Sequence, residues 1–202
     1  MNEYSIGLRR VWLGLVLAIV TTFYGFIGGA VLGLEDGPIR EALAERVPEA
    51  SRAESGALVD RAWTFLRRSH LHASGMGTAA IALISLVPVI AARFPRWFAS
   101  GMSLGMGAGG AGYAAALIVA GVRTPSLASA ALAKESAKMI AIPAAGAYMG
   151  GAAMLLCLTI VWAWSGRSAR TGPRDHSGLE VVVVGGGMAR EGVAGAGGGV
   201  GR

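Results

Sequence analysis

Charge is what this sequence has least of. Asp, Glu, Lys and Arg together make up 15 % of its 202 residues, against about 25 % in an average soluble domain. Four long stretches contain none of them. Ion- and proton-coupled carriers place acids or bases near the bilayer midplane, so these stretches supply no relay for one. Cysteine is nearly absent as well. With Cys157 alone, an intrachain disulfide and a zinc site of repeated cysteines are both excluded. Histidine occurs three times, at His70, His72 and His176, and no catalytic constellation can be assembled from the spacing of these residues.

What is there instead is apolar. The uncharged stretches run over 11–34, 69–92, 97–121 and 139–165, each longer than the roughly 20 helical residues that cross about 30 Å of hydrocarbon. An apolar content of 53 % and a mean hydropathy of +0.55 agree with them. The pattern predicts an all-α polytopic membrane protein, with four transmembrane helices in a bundle and a short extramembrane helical cap. The bundle occupies residues 1–165. Residues 166–202, rich in glycine and arginine and lacking an amphipathic period, read as a disordered tail. Within that tail, Val181 to Val184 precede Gly185, Gly186 and Gly187 like the strand and glycine turn of a dinucleotide site. The helix and second strand that such a site needs have no room in the fifteen residues that remain. His176 reads as a solvated tail residue.

The first apolar stretch follows Arg9 and Arg10 and extends for 24 residues without a cleavage-like stop. A secretory signal core is about 7–15 residues long, so this stretch is read as a retained helix. Abundant glycine, alanine and arginine in a short chain point to a bacterial inner-membrane protein. Arg9 and Arg10, Arg93 and Arg96, and Arg167, Arg170 and Arg174 fall on one side, which favours cytoplasmic N- and C-termini. The opposite side is mixed: residues 35–68 hold six arginines and seven acids, and the last loop carries Arg123, Lys134 and Lys138. Although the net charge is +6, the arginines lie at span ends and form no continuous basic face. The expected partners are therefore the bilayer, another copy or another membrane protein, and not nucleic acid.

In the loop 35–68, Ile39, Leu43 and Val47 recur at helical spacing, as do Val59, Ala62, Trp63 and Leu66 nearer the second span. Pro38 suits a first helical turn, and Pro48 separates the two segments. Two short surface helices capping the bundle are expected. Trp12, Trp97, Trp162 and Trp164 sit where interfacial aromatic anchors belong, and Pro88 and Pro143 fall inside the second and fourth spans.

Small residues recur four apart. Gly25, Gly29 and Gly33 mark the first span, Gly101, Gly105 and Gly109 the third, and Gly146 and Gly150 the fourth. Helix association in lipid relies on the close contacts that small side chains permit, so these are the expected packing positions.

The segment from Arg67 to Met76 is the strongest chemical candidate because it holds His70 and His72 at the entry to the second span. Residues two apart on a helix diverge by about 200°, so only one imidazole is expected to face inward. His72 is deeper, and Gly75 and Gly77 beside it leave room for a flat group such as haem, with Met139 the methionine of matching depth. No cofactor is assured, and no metal site is assigned. Connectivity also brings Glu35, Asp36, Arg67, Arg68, His70, His72, Arg123, Glu135 and Lys138 to one membrane face, the place to look for recognition of an anionic headgroup or a partner loop. The leading expectation is a non-enzymatic subunit or interaction protein of a membrane assembly. A haem- or metal-binding electron-transfer subunit using His72 is the alternative, with His70 as the other cofactor candidate. A lipid-modifying enzyme at the polar face comes third.

Overall fold

The computed structural model describes residues 3–91 and 94–168, with side chains for 7–91 and 94–164. The expected tail begins at residue 166, but α5 continues through Ser168, so its first three residues are helical; the rest of it, with the valine and glycine run and His176, lies outside the described residues, as does Arg93. Helix α1 spans Glu3–Leu34, α2 Asp36–Ala44, α3 Ser55–Ile90, α4 Arg96–Ser126 and α5 Ala130–Ser168; a short 3-10 segment, Glu49–Glu54, precedes α3. Four of these helices are long and apolar enough to cross a membrane. Helix is the physical solution for such sequences because in hydrocarbon each backbone N–H and C=O must find its partner within the segment.

Two boundaries differ from the sequence expectation, and both differences matter. The segment with Val59, Ala62, Trp63 and Leu66 is not a separate surface helix. It is the first part of α3, whose 36 residues extend roughly 54 Å at 1.5 Å per residue, well beyond the hydrocarbon thickness. Ile39, Leu43 and Ala44 of α2 pack on Val59, Ala62 and Leu66 of this extension, so the burial that makes the segment amphipathic is supplied by α2. The second difference lies between α4 and α5. An expected loop of seventeen residues, 122–138, shrinks to Leu127, Ala128 and Ser129. Ala128 takes a positive φ of 47°, and the Ser129 hydroxyl accepts the Leu132 N–H at 3.3 Å, the side-chain cap that a helix start requires. Lys134, Glu135 and Lys138 therefore stand on helical turns.

Helix α4 is the centre of the packing. It contacts α1, α3 and α5, whereas α1 and α5 do not meet among the described residues and α3 touches α5 only lightly. Val11, Ile84, Val87, Met102, Met106 and Leu155 are buried in the main core. The exposed surface is strongly apolar: Phe26, Ile27, Val89 and Ile142 are each more than half exposed, as lipid-facing side chains are. Trp12, Trp97, Trp162 and Trp164 also face outward, all at the end of the helices opposite the cap. Helices α3 and α5 continue through Pro88 and Pro143.

Close approach depends on glycine at a few points. A Cβ on Gly14 would collide with the Ser103 carbonyl, and one on Gly107 with the Gly14 carbonyl, so α1 and α4 cross on bare backbone. Gly77 is similarly closed by Thr22 and the Ala18 carbonyl of α1. The hydroxyls inside the spans tie helices together. Ser69 donates to the Ala114 carbonyl of α4 at 3.1 Å and lies 3.2 Å from the Tyr24 hydroxyl of α1. Ser100 donates to the Arg10 carbonyl at 2.6 Å and Tyr148 to the Met76 carbonyl at 3.2 Å.

Candidate functional site

Because α3 and α5 barely touch, a cleft of about 460 Å³ opens between them at the capped end, with α4 as its back wall. Helix α3 contributes Phe65, Arg68 and His72. Helix α4 contributes Tyr113, Ala116, Leu117 and Ala120, and α5 contributes Lys134, Ala137, Lys138, Ala141 and Ile142. Local structure explains the convergence. Lys134, Lys138, Ala141 and Ile142 follow helical spacing along one face of α5, and Arg68 and His72 are four apart on α3. Phe65 packs on Ala116, Ala120 and Ala137, which closes the cleft behind these side chains.

The rim is cationic. Lys138 pairs with Glu135, while Arg68 and Lys134 make no ion pair among the described residues. Elsewhere at this end Arg40 bonds Asp36 and Asp60, each at 2.7 Å, and its guanidinium lies 5.0 Å from the centre of the Trp63 ring. The hydrogen bond to Asp60, then that to Asp36, raises the Arg40 pKa. Glu35, Arg67 and Arg123 are exposed and do not line the cleft.

The two histidines separate as a helix requires, yet both meet another helix. His72 donates from Nδ1 to the Arg68 carbonyl at 2.8 Å, since a carbonyl only accepts, and its ring lies 5.4 Å from that of Tyr113. His70 faces α1, where a Cβ on Gly29 would lie 3.0 Å from its ring; its Nδ1 is buried without a hydrogen-bond partner among the described residues. The expectation of a single inward imidazole is thus corrected, because α1 and α4 flank α3 on different sides. The room expected at Gly77 is filled by α1, and Gly75 opens outward. Met139 is 85 % exposed and absent from the cleft. Among the described residues, no three His, Cys, Asp or Glu side chains come together as a metal would need.

At the other end of α4 and α5 lies a shallow apolar groove of about 600 Å³, lined by Trp97, Phe98, Gly101, Gly105, Gly150 and Met154 among others. The glycine stripes divide between packed and open positions. Gly25 is closed by Ser74, a Cβ on Gly105 would lie 3.0 Å from the Ala147 carbonyl oxygen, and one on Gly109 would lie 2.6 Å from that of Ala144. At Gly33, Gly101, Gly146 and Gly150 a Cβ would meet nothing within 4 Å. Residues not singled out by the sequence reading include Tyr113 and Lys134 at the cleft and Ser69 between three helices. Lys134 and Lys138 at four-residue spacing were a readable signal once that segment is taken as helix; nothing in the sequence marks Ser69. In comparison with known proteins, the chain matches no family model, no curated protein and no solved structure.

Proposed function

We propose that this chain is a non-enzymatic integral membrane protein, a subunit or interaction protein that works by packing a further transmembrane helix, from its own copy or another protein, into the groove between α4 and α5. A bacterial inner membrane with both termini cytoplasmic is the setting we favour. The supporting observation is that Gly101 and Gly150 both line the groove while a Cβ on either would meet nothing. Small residues in membrane helices permit backbone approach, and at these two positions no helix among the described residues makes use of it. Leucine at both would occupy the groove, starting from Cβ positions that meet no atom of the described residues. Photocross-linking from Met154, which lines the groove, in native membranes is expected to capture a protein neighbour. Combining Gly101→Leu with Gly150→Leu should abolish capture and leave thermal unfolding unchanged. A cross-link that survives the double substitution, or that reaches lipid alone in the unsubstituted protein, would sink the proposal.

One observation favours a second reading, a haem- or metal-binding electron-transfer subunit using His72. A ligating imidazole usually donates its other ring nitrogen to a carbonyl or carboxylate, and His72 Nδ1 does so to Arg68 while the side chain lines a cleft. The lipid-modifying enzyme has less support, since no carboxylate orients His72 among the described residues.

A further inference from the structure

We infer that the cleft between α3, α4 and α5 is a binding site for an amphiphile with a net-anionic phosphate head, the anion held by Arg68, Lys134 and Lys138 and the chain laid along Leu117, Ala141 and Ile142. This site is independent of the α4 and α5 groove, which lies toward the opposite ends of those helices.

Three features carry the inference together. The first is charge. Three cations and no carboxylate line the cleft, and of the three only Lys138 is paired, with Glu135. Arg68 and Lys134 face the same cavity without an ion pair among the described residues. The second is polarity along the cleft: the cations belong to the turns nearest the cap, while the other lining side chains are mostly apolar, with His72 and Tyr113 the polar exceptions. A soluble anion would satisfy only the first part, whereas an amphiphile satisfies both. Depth is the third. The uncharged part of α3 begins at Ser69 and that of α5 at Met139, so Arg68 and Lys138 stand where headgroups lie, and basic pockets between transmembrane helices at that level suit anionic headgroups. Light contact between α3 and α5 gives an acyl chain lateral entry from the bilayer. Tyr113 adds a hydroxyl beside His72 with no hydrogen bond to the protein among the described residues.

Native mass spectrometry of the full chain released from detergent tests this directly. Phosphatidylglycerol and phosphatidylcholine with the same acyl chains are offered in equal amounts, with glycerol phosphate as a chain-free competitor. One phosphatidylglycerol should be retained in preference to phosphatidylcholine, and glycerol phosphate should not displace it. Arg68→Gln and Lys134→Gln, both at exposed positions that the fold tolerates, should each weaken retention about fivefold; Arg123→Gln, at the same end but outside the cleft, should leave it unchanged. Equal retention of the two lipids, or retention unaffected by Lys134→Gln, would overturn the site. Displacement by glycerol phosphate would overturn the amphiphile and leave a soluble-anion site.

Discussion

His70 and His72 leave neighbouring positions of α3 toward different helices, His70 against Gly29 of α1 and His72 against Tyr113 of α4. A single ion or a single haem face cannot take both imidazoles in this arrangement. The non-enzymatic proposal therefore expects a colourless purified protein with no Soret absorption. Should a Soret band appear, His72→Ala would be expected to remove it and His70→Ala to retain it. A band lost equally in both variants would mean that the helix opens locally around the segment and that the geometry described above does not apply to the cofactor-bound protein.

Packing through glycine can be tested by contrast within one pair of helices. Gly109→Ala would bring a methyl to 2.6 Å from the Ala144 carbonyl oxygen and 2.7 Å from the Tyr148 nitrogen, which is overpacking against backbone. A loss of about 1–3 kcal/mol in unfolding free energy is expected in detergent. Gly146→Ala enters open space and should be neutral or slightly stabilising, because alanine is the better helix former. Equal behaviour of the two variants would show that α4 and α5 do not approach on this face.

The cap depends on Arg40, which bridges α2 to α3 through Asp36, Asp60 and the face of Trp63. The three charged groups are partly exposed, so Arg40→Ala should lower stability by only about 0.5–1 kcal/mol. Protease cutting between Asp36 and Glu54 should nevertheless accelerate clearly. The sign of the pKa shift fixes the alkaline behaviour: a raised pKa means that the arginine's contribution is fully present below the ordinary arginine range and is lost only as pH climbs through the higher folded value. Limited proteolysis at neutral and moderately alkaline pH should therefore give the same cutting rate for the unsubstituted cap, and a rate that rises over that interval would assign the cap to other groups.

Orientation has its own test. With cytoplasmic termini, a reporter that fluoresces only in the cytoplasm should be bright when fused after Arg174, and a phosphatase active only outside should work when inserted at Glu54, an exposed position in the short 3-10 segment. The opposite pattern would invert the protein and move the cationic cleft to the cytoplasmic leaflet, with the four spans unchanged.

Four helices were legible from the sequence because uncharged stretches of this length have few structural alternatives in hydrocarbon. The divergence of His70 from His72 was legible for an equally local reason, the fixed angular step of a helix. Which neighbour each residue meets is a property of how the helices stand around α4, and no periodicity within one segment contains it. Gly109 and Gly146 carry the same four-residue signature, yet one is pressed against backbone and the other is open, since spacing gives a face of a helix but not the partner of that face. Lys134 and Lys138 resembled loop charges until the continuation of α4 to Ser126 and a three-residue turn put them on α5 opposite Arg68. Span number came from the solvent that the side chains require. The cleft came from packing, because light contact between α3 and α5 leaves space that only the relative placement of three helices creates.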